Sequence, residues 1–329
     1  TAAWSQEPGR PGSFREEARV ERVVVDVYVT DRSGDPIPDL GPADFRVRVD
    51  GRPIELESAE WIPADLPELP VAGGPFSGPP VQPAPGRLIV FFFQTDYEPS
   101  RLVGLVRMSL QARRFLETLL PSDRVAVVSY DSHLKLRQDF TNDRAKLEVA
   151  IHDAIRTGTS DEPIRIESPS VAKHFDFAAA RHAYTPEAGL FVLARALARI
   201  PGGKTMLYFG WGLGTIGGIG GPNFAERRDF RNALRSLAAA RVSIFTLDVT
   251  DADYHSLEAS LQNVSDLTGG IYQKTHLFPN LAMDRVRRAI SGRYVLVFKA
   301  PQGPRGQHTI EVNLASRKGE VNVRQYYDD

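Results

Sequence analysis

From Arg87 to Ser291 the chain alternates short apolar runs with stretches of helical periodicity, and that rhythm constrains its fold more than any other feature. Leu88-Ile89-Val90-Phe91-Phe92-Phe93 is apolar at every position, the pattern of a strand buried on both faces of a parallel sheet. Helical periodicity follows over Ser100–Leu120, then strands at Val125–Tyr130 and His133–Phe140, the second as an antiparallel partner. Asn142 is positioned to cap a helix over Asp143–Arg156. Further elements are expected as helix Pro186–Ile200, strand Thr205–Phe209, helix Phe224–Arg241, strand Val242–Asp248, helix Ser256–Thr268, strand Gly270–Lys274 and helix Leu281–Ser291. Strands alternating with helices predict a mostly parallel central sheet with helices on both faces.

The two ends of the chain have a different period. In Val20–Asp31, Val23, Val25, Val27 and Val29 alternate with Val24, Asp26, Tyr28 and Thr30, which predicts a half-buried strand. Arg32-Ser33-Gly34-Asp35 supplies a turn, Phe45–Val49 a second strand, and Asp50-Gly51 a hairpin signal leading into Ile54-Glu55-Leu56. After Gly292, alternating strands return at Tyr294–Lys299, His308–Leu314 and Glu320–Tyr326. Each terminal set is too short to own a core, so the economical arrangement joins both in one β-module. Residues 62–86 hold eight prolines and four glycines in 25 positions, which excludes a helix or central strand and reads as a linker. The expected organisation is an extension at 1–19, β-module strands at 20–61, the linker at 62–86, an α/β domain at 87–291 and the rest of the β-module at 292–329.

Composition removes several classes of protein. Forty Lys and Arg against 41 Asp and Glu give a net charge of -1, unlike the basic domains that bind nucleic acid. No apolar run approaches the 18 or more residues of a membrane-spanning helix. The absence of cysteine excludes thiol catalysis and thiolate metal sites, without fixing the compartment. The start at Thr1-Ala2-Ala3-Trp4 lacks an initiator methionine, as either a cleaved signal peptide, the favoured reading, or an arbitrary boundary would leave it.

Four segments in order resemble the VWFA-related domain proteins, exported bacterial proteins with a von Willebrand factor A-like core. They are the opening VDVYVTDRSGDPIPDLGPADFRVRVDGRPI, the strand VSIFTLD, the following Thr268-Gly269-Gly270, and the closing RYVLVFKAPQGPRGQHTIEV. The likeness spans about residues 18 to 327. It implies a Rossmann-like α/β domain of the von Willebrand factor A type plus a small β-module formed by the N- and C-terminal strands. It also implies an exported, non-catalytic binding protein, in the periplasm, at the cell surface or outside the cell.

Domains of this type often hold Mg²⁺ or Ca²⁺ at the C-terminal edge of the sheet, through D-x-S-x-S after the first strand, a later Thr and a later Asp. A hard cation such as Mg²⁺ takes about six oxygens at about 2.1 Å. This chain departs from that pattern. After Phe93 it reads Gln94-Thr95-Asp96-Tyr97-Glu98-Pro99-Ser100, so the motif aligns as Gln94-x-Asp96-x-Glu98 or as Asp96-x-Glu98-x-Ser100. Thr185 matches the threonine, but Gly210-Trp211-Gly212 stands where the late aspartate belongs. The candidate metal residues are therefore the degenerate set Asp96, Glu98, Ser100 and Thr185, and no cofactor is expected beyond Mg²⁺ or Ca²⁺ there.

Three other patterns were weighed for chemistry. Gly212-Leu213-Gly214-Thr215-Ile216-Gly217 fits G-x-G-x-x-G, yet the next strand's acid, Asp248, lies 36 residues past Gly212 where a dinucleotide fold expects about 20. Asp131, Ser132 and His133 stand side by side near Ser129, which is not the spacing of a hydrolase elbow. His152, His174 and His182 match no common metal spacing. Trp211, flanked by glycines, reads as a contact residue, so Tyr97, Trp211, Gly210 and Gly212 are the candidate partner-binding residues. The expected activity is protein binding, adhesion or assembly through the loops at 94–100, 157–185 and 210–221. One alternative is a structural subunit of a larger surface or extracellular assembly, held through β-module edges. Another is a nucleotide-binding protein. The expected partner is a protein, including another copy of this chain.

Overall fold

The computed structural model describes residues 22–65, 86–156, 168–216, 224–225 and 228–328. The extension at 1–19 and most of the Pro-rich linker, 66–85, lie outside these residues, as do 157–167 and 217–223 of the two long loops.

The chain opens with β1 (Arg22–Thr30), β2 (Phe45–Val49), β3 (Arg52–Ile54) and β4 (Leu56–Pro63). The α/β part follows as β5 (Leu88–Gln94), α1 (Pro99–Leu116), β6 (Arg124–Tyr130), β7 (Leu134–Thr141) and α2 (Arg144–Ala154). It continues with α3 (Phe177–Arg181), α4 (Pro186–Leu197), β8 (Lys204–Gly210), β9 (Thr215–Ile216), β10 (Phe224–Ala225) and α5 (Arg228–Ala239). It closes with β11 (Val242–Asp248), α6 (Glu258–Thr268), β12 (Tyr272–Lys274) and α7 (Pro279–Ala289). Four strands end the chain: β13 (Gly292–Lys299), β14 (Gln307–Leu314), β15 (Glu320–Val323) and β16 (Tyr326–Asp328).

Six strands form the central sheet in the order β12-β11-β8-β5-β6-β7. Only the β6–β7 pairing is antiparallel, as the sequence predicts. Numbered from β5, the order is 3-2-1-4-5-6, that of a doubly wound sheet whose first strand lies at the centre. The period of two in β5 divides the core. Leu88, Val90 and Phe92 join the cluster under α4, α5 and α6, while Ile89, Phe91 and Phe93 join the one under α1, α2 and α7. Phe92 stacks on Tyr208 and Phe93 on Phe209 of β8, locking the two central strands together on both faces.

The terminal strands interleave in two sheets, β15-β1-β13-β4 and β16-β14-β2-β3. Val23, Val25, Val27 and Val29 of β1 pack with Tyr294, Leu296 and Phe298 of β13 and with Val47, Val49, Ile310 and Val312 of the facing sheet. The β-module is thus built from both chain ends.

Four local expectations are corrected. Strand β1 is buried on both faces, because the face carrying Val24, Asp26 and Tyr28 packs against the α/β domain. Tyr28 meets Phe245 edge to face and its hydroxyl lies 3.2 Å from Thr205 Oγ1. The expected single strand at 320–326 breaks at Arg324, where the chain passes from one sheet to the other. Asp143, rather than Asn142, caps α2 by accepting from the Ala145 and Lys146 amides, while Asn142 donates to the Pro121 carbonyl. Helix α5 starts at Arg228 instead of Phe224, because Phe224–Ala225 pair with Thr215–Ile216 as a short ribbon.

The joint between module and domain is ionic. Asp26 is 7% exposed and accepts from Arg241 at 2.9 and 2.7 Å and from Arg293 at 2.9 Å. Burial pushes its carboxyl up, but the two guanidinium charges outweigh that and hold it far below the usual carboxylate range. Arg324 spans the same joint through carbonyls, donating to Ala238 and Val24. Burial brings its guanidinium down to about 10.

Candidate functional site

In an open doubly wound sheet the loops beyond the strand C-termini form the natural binding edge. Here that edge is held from below by one side chain. Gln94, the last residue of β5, is 1% exposed. Its amide nitrogen donates to the Gly212 carbonyl at 2.8 Å, and its oxygen accepts from Tyr208 OH, Trp211 N and Gly212 N at 3.0 to 3.3 Å. A carboxylate at this position could accept those donors but could not donate to Gly212. The amide fastens the β8 loop to β5.

Two of the four candidate metal side chains, Asp96 and Thr185, have other partners. Asp96 pairs with Arg101 and accepts the Glu98 amide at 3.0 Å. Glu98 precedes α1 without a side-chain cap bond, and Ser100 sits within α1, its carbonyl accepting from Asp251 N at 2.7 Å. Thr185 caps α4 by accepting the Ala188 amide at 3.1 Å. Among the described residues no group of three or more His, Asp or Glu is placed to hold a metal ion. The positive charge beside Asp96 is supplied by Arg101.

Arg101 also alters the expectation for Trp211. Its guanidinium lies 3.8 Å from the centre of the indole, a cation–π contact. Trp211 is half-buried and packs on the core beneath α1, so the ring is covered rather than presented. Gly210 and Gly212 are also buried packing positions. A Cβ on Gly210 would collide with Tyr208 and Gln94, and one on Gly212, where φ is +150°, with the Leu257 side chain. Of the four candidate contact residues only Tyr97 stands open, at 69% exposure.

The sequence reading missed the other exposed rings on this edge. Tyr184, before α4, is 71% exposed, and Tyr254, after β11, is 75% exposed. Leu277 and Phe278, entering α7, are also exposed. The loops carrying several of these residues are cross-linked. Arg107 of α1 donates to Asp251 Oδ1 at 3.0 Å and to the His276 carbonyl, while His276 pairs with Asp253 at 3.0 Å. The available signal was position: each tyrosine follows a β-strand or directly precedes a helix start.

The remaining motifs are occupied internally. The Gly214 amide donates to Glu187, a fully buried carboxylate that would repel a pyrophosphate at the glycine loop. Asp248 accepts from Tyr272 OH at 2.8 Å and the Thr250 amide at 3.0 Å, and its Oδ2 lies 2.8 Å from His255 Nε2. Both of its oxygens are therefore engaged within the protein. Burial and the Asp248 charge push the Tyr272 hydroxyl well above its usual range, so it stays a donor. Near Ser132, His133 Nδ1 faces Ser132 Oγ at 3.0 Å and Asp131 Oδ1 at 3.9 Å. Serine and carboxylate address the same ring nitrogen, whereas a proton relay needs them on opposite nitrogens. Burial and the Lys135 charge hold His133 below the usual histidine range.

The strand order, the single antiparallel edge and the helices on both faces define an α/β fold of the von Willebrand factor A type. No family model matches the sequence, and no curated protein matches it. Among solved structures the chain is similar to a von Willebrand factor type A protein from Catenulispora acidiphila, at 11% identity over 89% of this chain and 74% of that one, with a TM-score of 0.43. It is similar to BatB from Bacteroides thetaiotaomicron at 11% identity, covering 63% of this chain and 98% of that one, with a TM-score of 0.42. The N-terminal domains of the type V pili tip protein Mfa5 from Porphyromonas gingivalis match at 12% identity over 94% and 68%, with a TM-score of 0.41. At these identities and scores the likenesses carry no argument about activity. The fold assignment rests on the topology of this chain.

Proposed function

We propose that this is a non-catalytic, exported protein that binds a protein partner through the C-terminal edge of its α/β sheet, in adhesion or in assembly. The observation that carries the reading is the presence of three tyrosines, Tyr97, Tyr184 and Tyr254, each about 70% exposed or more on a different loop of one sheet edge. Tyrosine is enriched at protein interfaces because it combines a large apolar ring with a hydrogen-bonding tip and has few rotamers to immobilise. Gln94 and the Arg107–Asp251 and His276–Asp253 contacts brace the β8 loop and the loop of Tyr254, and the Asp96–Arg101 pair braces the loop of Tyr97, so these two rings are offered on a frame that needs little ordering on binding. Export is the location that the sequence resemblance implies. The partner includes a second copy of this chain, since a net charge of -1 opposes self-association only weakly.

The test is light scattering and native pull-down of the wild type beside a Tyr97→Ala/Tyr184→Ala/Tyr254→Ala variant. A tyrosine at the centre of an interface costs about 2 kcal/mol when truncated, so the variant loses assembly or partner. A wild type that stays monomeric at high concentration and retains no partner overturns the proposal. A second reading, a structural subunit joined edge to edge, draws on strands β4, β15, β3 and β16 at the sheet margins. It is favoured if the triple variant assembles as the wild type does.

A further inference from the structure

A cleft of about 700 Å³ opens on the flank of the molecule, between α5, α6 and the terminal strand β16, away from the tyrosine-bearing edge. Its size is that of a ligand site, about 300–1,000 Å³. Its walls are polar. Arg231 and Arg235 stand one helical turn apart on α5, both exposed, and neither has an ion-pair partner among the described residues. Asn232, Asn263, Gln307 and Gln325 add four side-chain amides, the Asn232 oxygen accepting from Arg235 at 3.0 Å, and Asp328 is the one acidic residue among the described lining residues.

The charge around this cleft is out of keeping with the chain. Ala238 and Leu267 line both the cleft and the small void where Asp26, Arg241 and Arg324 meet. Arg324 donates to the Ala238 carbonyl, and its buried Nε has no hydrogen-bond partner among the described residues. With Arg241 and Arg293 both paired to Asp26, the described residues at and beside the cleft hold five arginines against two aspartates, in a protein whose net charge is -1. An excess of one sign of charge in a concavity concentrates the field there. Guanidinium groups bind carboxylates through paired, charge-assisted hydrogen bonds. The amides can donate to and accept from a peptide backbone, which distinguishes this lining from a bare cationic patch.

We infer that the cleft between α5, α6 and β16 is a binding site for an acidic peptide segment, whose carboxylates pair with Arg231 and Arg235 while its backbone meets the surrounding amides. The site lies at the joint of module and domain, so an occupant would touch both. It is independent of the tyrosine edge.

The experiment uses the full chain and fluorescence anisotropy with labelled hexaglutamate, and labelled hexaglutamine as the uncharged control. Hexaglutamate is expected to bind and hexaglutamine not. An Arg231→Gln/Arg235→Gln variant, changed only at exposed positions and checked for an unaltered melting temperature, is expected to bind hexaglutamate at least about tenfold more weakly. The triple tyrosine variant is expected to bind it as the wild type does, which separates this site from the proposed partner edge. Equal binding of the two peptides, or an unchanged affinity in the double arginine variant, overturns the inference. Displacement of hexaglutamate by an equal concentration of inorganic phosphate also overturns it, because the site is then one for simple anions.

Discussion

Replacing Asp26 by Asn removes one negative charge from the joint between β-module and α/β domain and leaves the shape nearly unchanged. The carboxylate is the shared counter-charge of Arg241 and Arg293, whose side chains are each 13% exposed. Without it, two largely buried guanidinium groups face each other and lose that shared counter-charge. Removing one partner of a buried ion pair costs about 3–5 kcal/mol, much more than the pair adds relative to an apolar replacement. For a chain of this size the thermal midpoint should fall by about 4–7 °C. The pH dependence carries a sign. The Asp26 carboxyl is depressed in the folded state, so its contribution is complete above the unfolded value of about 3.9 and is lost as pH falls below it toward the folded value. The gap between wild type and Asp26→Asn should therefore stay constant from about pH 5 to 8 and narrow only in stronger acid. Urea denaturation of both proteins across that range measures it. An Asp26→Asn protein as stable as the wild type at pH 7 would refute the view that this charge holds the joint.

Gln94→Leu should lower stability by roughly 2–3 kcal/mol, because Tyr208 OH and the loop amides of Trp211 and Gly212 lose their acceptor; a red-shifted tryptophan emission would report release of the β8 loop. Millimolar Mg²⁺ or Ca²⁺ should leave the melting temperature unchanged relative to chelator, since Asp96 is already paired with Arg101. A rise of several degrees that disappears in Asp96→Ala would contradict that. A fragment of residues 1–291 should fail to accumulate in soluble form, because β1 would lose both neighbours, β13 and β15. A soluble 1–291 fragment with a cooperative melt would refute the shared module.

Much of the fold is legible in the sequence because its signals are local. Strands β2 and β11 fall where the alternating FRVRV and the mostly apolar VSIFTLD place them, and β5 extends its predicted run by one residue. The pairing of the two chain ends also follows from sequence, since neither terminal strand set can bury its apolar face alone. Boundaries fail where a neighbour in space decides them. Phe224–Ala225 have helical company in sequence but pair with Thr215–Ile216, and 320–326 reads as one strand yet is shared between two sheets.

The site is less legible, because exposure and partnership are properties of contacts between distant residues. The sequence alone shows that the metal pattern is broken at Gln94 and that the late aspartate is replaced by Gly210. Only the tertiary structure shows that Gln94 itself bridges the gap, across 118 residues to Gly212. Trp211 and Tyr97 look alike as aromatics on loops, yet a guanidinium from α1 covers one and leaves the other in solvent. Asp26 looks like the outward residue of an alternating strand. It becomes the anchor of the joint because Arg241 and Arg293, 215 and 267 residues away, arrive on that face. Periodicity fixes which way a side chain points along its own strand, but what it meets there is set by the packing of one element against another.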